Sequence, residues 1–205
     1  AWFRTGHPWI YKDDLERGEA SLSGTIVSLL DNSGNFLAKA FYNERSKIAL
    51  RIITYDDVPV DAGFWRSRLS GCMEYRRKAI KDADAYRIAH SEADGLPSLI
   101  VDKYGEHLSI QTLSLGMDNI KDVIVEALTD LLKPVSVIAR NDSAIRKFEG
   151  LDEKKEVLYG RPPEKVEVRE GNIKYFVDIM NGQKTGAYLD QRENHIASER
   201  YARGK

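Results

Sequence analysis

The strongest constraint on the fold comes from the first sixty residues, where apolar side chains follow a period of two and turn residues interrupt them at short intervals. "GTIVSLLD" (24–31) runs into the turn "NSGN", then "FLAKAFYN", and after "ERS" comes "KIALRIIT" (47–54). β-Branched and aromatic content around an Asn/Gly turn predicts a hairpin and a third strand. Three short strands after a turn-rich opening favour a small β-barrel.

The period changes near residue 60. "VPVDAG" (58–63) punctuates, and "FWRSRLSGCMEYRRKAI" (64–80) predicts a helix interrupted or capped at Ser70-Gly71. Its basic residues Arg66, Arg68, Arg76, Arg77, Lys78 and Lys81 form either a solvated helix surface, the commoner case, or a nucleic-acid face. "YRIAHSEADGLPSLIVDKYGEHLSIQTLS" (86–114) contains three extended runs joined by "DGLPS" and "KYGEH". In "GMDNIKDVIVEALTDLLK" (116–133), Met117, Ile120, Ile124, Ala127, Leu128 and Leu131 recur at helical spacing, so this helix packs one apolar face on a sheet. "VSVIARND" (135–142) predicts a buried strand, and "EKVEVREGNIKYFVDIM" (164–180) a hairpin turning at Glu170-Gly171-Asn172. "DQRENHIASERYARGK" (190–205) predicts a final helix capped by Asp190. The expected units are 1–60, 61–163 and 164–205.

Composition excludes several classes of function. Apolar residues make up 42% and charged ones 31% of the 205 residues, and no apolar run has the length a membrane helix needs. The start, "AWFRTGHPWI", lacks a signal-peptide pattern, so a cytoplasmic location and no membrane partner are expected. Cys72 is the only cysteine and predicts buried packing, with no disulfide framework. His7, His90, His107 and His195 lack ligand spacing, so no metal is expected. A net charge of -1 excludes bulk polyanion attraction but leaves room for one basic face.

One loop invites a ligand. "NGQKTGAYLDQR" (181–192) gathers Gly182, Gln183, Lys184, Thr185 and Gly186, and glycine permits close approach of backbone to a bound molecule. The phosphate-loop pattern fails, because Gln183 precedes Lys184 and the required upstream glycine is missing. An ordinary surface turn, signalled by Asn181-Gly182, is the simpler alternative.

Three stretches together resemble the S-adenosylmethionine-dependent methyltransferases of large-subunit ribosomal RNA. They are "GHPWIY" (6–11) with "FLAKAFYNERSKIALRI" (36–52), "HSEADGLPSLIVDKYG" (90–105) and "GQKTGAYLDQREN" (182–194), in the family's order and across nearly the whole chain. The resemblance implies an α+β chain: an N-terminal PUA-like β-barrel, a small middle α/β domain, and a β-hairpin that starts an incomplete Rossmann-like domain. It implies S-adenosyl-L-methionine as cofactor, ribosomal RNA as substrate with cytosine C5 or guanine as the methylated group, and a homodimer as candidate assembly. Gln191 and Arg192 would lie near the methionine end of the cofactor, with Lys184 and Thr185 beside it or the substrate. Arg4, His7, Lys39, Arg45, Lys47 and Arg51 are the candidate RNA contacts. No catalytic residue is expected within the chain, since the family's catalytic loop would lie beyond Lys205. By itself the chain is then expected to be inactive, with a mobile loop at 182–186. Two departures bear on substrate preference: Ala187-Tyr188 stands where relatives carry two aromatics, and Ser98 where they carry glycine.

Two other readings compete. A stand-alone RNA-binding or ribosome-assembly module would need no catalysis. A small-molecule enzyme would use His90, Glu92 and Asp94, which crowd into "HSEADG", although a structural turn held by Gly95 and Pro97 explains the same residues.

Overall fold

The computed structural model describes residues 6–16 and 22–202. The chain is α+β and contains three sheets. Strands Trp9–Tyr11 (β1), Ile26–Leu30 (β2), Phe36–Tyr42 (β3) and Ile48–Thr54 (β4) form an antiparallel sheet in the order β1-β4-β3-β2. The predicted hairpin and third strand are β2, β3 and β4. Strand β1, three residues from the "GHPWIY" stretch, was not read from the sequence. It is too short for its own periodicity to show, and its partner β4 lies some forty residues along the chain.

Helix Ala62–Ala79 (α1) follows, and Asp61 caps it by accepting from the Phe64 amide at 3.0 Å. The expected break at Ser70-Gly71 is absent. The backbone stays helical there because Leu69 and Cys72, on either side of the pair, are anchored in the core. A second sheet then takes Ala85–His90 (β5), Leu99–Tyr104 (β6) and His107–Thr112 (β7). The region predicted as one helix divides into Leu115–Asn119 (α2), capped by Ser114, and Lys121–Leu132 (α3), with Ile120 non-helical between them. Ser136–Asn141 (β8) is buried along its length, and Ile145–Phe148 (α4) is a single turn. Lys154–Gly160 (β9), also unpredicted, closes the second sheet in the order β5-β6-β7-β8-β9, with only β7 and β8 parallel. Val166–Glu170 (β10) and Ile173–Val177 (β11) form the predicted hairpin, and Arg192–Ala202 (α5) is the last helix.

Alternation along β8 shows how the layers stack. Val137 and Ala139 join the core beneath α1 and α3, whereas Ile138 joins a second core with Tyr104, Val166, Val168, Val177 and Ile179. Neighbouring strand residues point to opposite faces, so helices cover one face of the five-stranded sheet and the β10–β11 hairpin the other. The first core also takes in Phe41 and Ile53 from the N-terminal sheet. Phe41 stacks on Trp65 of α1 with ring centroids 5.8 Å apart, and a Cβ on Gly116 would fall 2.3 Å from that ring. Only glycine lets α2 begin against Phe41 at this distance. Ile10, Ala38, Ala40, Leu50 and Ile52 form a separate core within the N-terminal sheet. Cys72 is buried, and desolvation pushes its thiol up, as expected of a packing residue.

Candidate functional site

The loop after β11 is built by its own backbone first. Asp178 accepts from the amides of Met180 (3.0 Å) and Asn181 (2.7 Å), and these bonds, the Asn181 amide foremost, hold its carboxyl below the usual range. The Gly182 amide returns to the Asp178 carbonyl at 2.8 Å, and a Cβ on Gly182 would lie 2.2 Å from the Gly186 carbonyl oxygen. That close approach requires glycine. A tight turn over 183–186 closes with the Gly186 amide on the Gln183 carbonyl at 2.9 Å, and Lys184 occupies the left-handed region at φ 54°.

Side chains of the middle sheet then hold this loop down. Arg140 of β8, 3% exposed, donates to the carbonyls of Ile179 (3.1 Å) and Gly182 (2.8 Å). Asp102 of β6 is fully buried and accepts from Arg87 Nε (2.8 Å), Arg87 Nη2 (2.9 Å) and the Thr185 hydroxyl (2.5 Å). Tyr104 OH lies 3.0 Å from Thr185 Oγ1 and accepts from the Ala187 amide at 3.1 Å. Burial, reinforced by the Asp102 charge, pushes the Tyr104 phenol up to about 12. Against the expectation of a mobile loop at 182–186, the structure ties this stretch down through Arg140 on the Gly182 carbonyl, Asp102 and Tyr104 on the Thr185 hydroxyl, and Tyr104 on the Ala187 amide.

Of the four residues expected near a cofactor, Thr185 faces inward and is fully buried, so its hydroxyl serves the loop itself. Lys184 turns outward, with Nζ 3.0 Å from both Asp190 carboxylate oxygens and 4.5 Å above the Tyr188 ring. Tyr188 in turn donates to Gln183 Oε1. Gln191 is exposed, and its Oε1 accepts from Asn194 at 2.6 Å. Arg192 reaches Glu193 at 3.4 Å through Nη1, while its Nε is buried with no hydrogen-bond partner among the described residues. His195 docks α5 on the hairpin through Glu170 at 2.8 Å.

The described candidate RNA contacts differ in exposure and in partners. Arg4 lies outside the described residues. His7 is half-buried, with Nδ1 3.0 Å from the Trp9 carbonyl oxygen. Lys39, at the middle of β3, pairs with Asp57 at 3.3 Å, while Arg45 and Lys47 sit in the loop between β3 and β4. Arg45 and Lys47 are exposed and have no carboxylate partner among the described residues. Arg51 is a correction, because its position is inside. It is 8% exposed, donates to Glu92 (3.3 Å) and Glu149 (2.8 Å), and lies 5.6 Å over the Trp9 ring.

Glu149 is also buried and accepts from Asn43 Nδ2 (2.9 Å) and Ser46 Oγ (2.7 Å), so it fastens the end of α4 to the β3–β4 loop. Glu92 accepts from Trp9 Nε1 at 2.8 Å, and Asp94 makes two bonds with Arg76, at 3.1 and 2.6 Å. The "HSEADG" acids thus join neighbouring elements, and Gly95 holds their turn at φ 67°. Three of the six basic residues expected along α1 are paired in the same manner, Arg66 on Asp130, Arg76 on Asp94 and Lys78 on Glu74. Between the N-terminal sheet and this turn lies an open cleft of about 650 Å³, lined in part by Pro8, Ile52, Thr54, Arg68 and Glu92.

Sequence reading missed Arg87, Asp102, Tyr104, Arg140 and Glu149. Asp102 alone left a trace, a carboxylate inside the apolar run "LIVDKY". Among the described residues no acidic, histidine or cysteine group could hold a metal, and no helix is long and apolar enough to cross a membrane.

Comparison with known proteins agrees with this architecture. Residues 1–55 match the PUA-like domain family. Ribosomal RNA large subunit methyltransferase I of Aeromonas hydrophila is 40% identical over 97% of this chain and 52% of its own length, and that of Vibrio cholerae is 36% identical over 98% and 52%. A solved structure described as a methyltransferase complexed with SAH superposes with a TM-score of 0.77 at 22% identity, over 94% of this chain and 49% of that one. A second solved structure, described as a SAM-dependent methyltransferase from Streptococcus mutans, gives the same TM-score at 21% identity over 96% of this chain and 51% of that one. The chain spans about half the length of the curated relatives it matches, and over nearly all of its own length it is similar to the ribosomal RNA large subunit methyltransferases I.

Proposed function

We propose that this chain supplies the RNA-holding surface and one cofactor-facing loop of an S-adenosylmethionine-dependent methyltransferase acting on large-subunit ribosomal RNA, at cytosine C5 or guanine. The observation that carries the reading is the loop 181–192, seated on the five-stranded sheet in a chain 40% identical to a ribosomal RNA methyltransferase. The division of labour follows the units 1–60, 61–163 and 164–205: RNA contact, scaffold and cofactor loop.

The donor set suits a zwitterionic ligand. Gln191 offers an amide that can donate and accept, Lys184 an ammonium group, and Arg192 a guanidinium whose Nε has no hydrogen-bond partner among the described residues. When bound, S-adenosylmethionine supplies an electrophilic methyl group. The part of this chain is to orient: Gln191 and Arg192 hold the polar end of the ligand, and Lys184 adds positive charge at the loop's outer edge. So few contacts offset little of the roughly 4 kcal/mol or more of freedom lost on association, so the chain alone binds this ligand weakly and transfers no methyl group. RNA contact is assigned to Arg45 and Lys47, which among the five described candidates are the exposed cations without a carboxylate partner among the described residues.

Titration of a labelled ribosomal RNA hairpin at two salt concentrations tests the RNA half. Affinity falls with salt in the unaltered chain, and Arg45→Ala with Lys47→Ala lowers the magnitude of the log–log slope by roughly 1.5 to 2. An unchanged slope removes this loop from the interface. Calorimetry with S-adenosylmethionine tests the other half: binding in the low micromolar range would show a more complete ligand site than this loop provides.

A further inference from the structure

We infer that Asp102 and Tyr104 are positioning residues for the 182–188 loop, acting through the Thr185 hydroxyl to fix how the loop presents Lys184. The inference rests on the cofactor-loop reading for its functional meaning but not for its geometry. Nothing in the sequence pattern joins "LIVDKYG" to "GQKTG". Asp102 and Thr185 are 83 residues apart and meet only because the hairpin lays the loop on the sheet.

The direction of each bond follows from the chemistry of the groups. The Asp102 carboxylate can only accept, and Arg87 already approaches both of its oxygens. Thr185 must therefore give its one proton to Asp102. Tyr104, 3.0 Å away, must then donate to Thr185 Oγ1, which leaves the phenol oxygen free to accept from the Ala187 amide. The relay runs Ala187 to Tyr104 to Thr185 to Asp102, with Arg87 behind the carboxylate. Every member is placed so that no other assignment satisfies all the bonds.

Position explains what the relay does. Arg140 clamps the loop at Ile179 and Gly182, and the relay clamps it at Thr185 and Ala187. Lys184 lies between the two clamps at φ 54°, a conformation that a lysine keeps only when its surroundings enforce it. That conformation brings Lys184 Nζ onto Asp190 and over the Tyr188 ring. Thr185, read from the sequence as facing the ligand, works instead from behind the loop.

Amide hydrogen exchange on this chain tests the inference. Thr185→Val removes the hydroxyl at nearly constant volume, and Tyr104→Phe breaks the relay one step earlier. Asp102→Asn sets an amide donor against an Arg87 donor. Each variant is expected to speed exchange of the amides of residues 182–187 by about tenfold or more, while β8 amides stay within twofold of the unaltered chain. Thr185→Ser, which keeps the hydroxyl, restores slow exchange. Loop exchange within twofold in Thr185→Val, or Thr185→Ser behaving like Thr185→Val, overturns the inference. If Asp102→Asn unfolds, the valine and serine pair still decides. A parallel run with saturating S-adenosylmethionine separates the two readings. Slowing of the loop amides in the unaltered chain but not in Thr185→Val supports both. No slowing in the unaltered chain overturns the cofactor reading alone.

Discussion

Two buried polar junctions hold this molecule together, and they are built differently. At the first, Arg51 of the N-terminal sheet meets Glu92 and Glu149 of the middle unit beside a continuous apolar core of Phe41, Ile53 and Trp65. At the second, the 182–188 loop meets Asp102, Tyr104 and Arg140 through hydrogen bonds, with Ala187 and Leu189 packed only partly against the core. Hydrophobic burial is non-directional and large, whereas hydrogen bonds contribute modest net stability but fix geometry. The first junction should therefore govern whether the chain folds, and the second how one loop is shaped.

The largest effect is expected at the apolar part of the first junction. Trp65→Ala removes a 2% exposed indole stacked on Phe41 and should cost about 3 to 5 kcal/mol in urea unfolding. A cost near 1 kcal/mol would mean that the two sheets are not cemented there. Glu149→Ala comes close behind. It strips Arg51, Asn43 and Ser46 of one acceptor, and breaking a buried ion pair costs roughly 3 to 5 kcal/mol. A double variant with Arg51→Met that recovers most of the loss would show that the penalty is the stranded charge.

At the second junction, Thr185→Val should lower global stability by only about 1 to 2 kcal/mol. Equality with Glu149→Ala would erase the distinction between the two junctions. The same junction carries a pH signature. Tyr104, and Tyr175 of β11 packed against the same core, are both pushed up to about 12, chiefly by burial, from an unfolded value near 10. Their neutral forms favour the folded state, so this contribution is complete below pH 10 and is lost as pH rises through about 12. Tyrosinate absorbance followed alongside thermal melts checks it; two tyrosines ionising at about 10 without loss of stability would contradict the burial. The smallest effect is a gain. Ser98 sits at φ 65° with a buried hydroxyl that has no hydrogen-bond partner among the described residues, so Ser98→Gly should stabilise the chain by about 1 kcal/mol in the same urea assay.

What could be read from the sequence divides by range. The β2–β3 hairpin, the β10–β11 hairpin and the apolar face of α3 are written in nearest-neighbour patterns, and they appear where those patterns put them. Strands β1 and β9 and the break at Ile120 depend on partners elsewhere, and no local period announces them. The loop 181–192 was legible as unusual because glycines and polar side chains gather there. Which of its side chains face inward was not legible. Thr185 and Lys184 are adjacent and equally polar, and only Asp102, 83 residues earlier, separates their roles. Arg51 was misplaced for the same reason: an arginine in a strand reads as surface until two distant carboxylates are found beside it.

The bond between Arg51 and Glu149 also sets a schedule. The two residues are 98 positions apart, and chains are made at about 5 to 20 residues per second, so Arg51 is synthesised roughly 5 to 20 s before its carboxylate exists. During that interval the N-terminal strands can form their own small core and Phe41 can meet Trp65, but Arg51 has only Glu92 of its two carboxylate partners. The last polar tie between the N-terminal sheet and the rest of the chain can close only once Glu149 has been made.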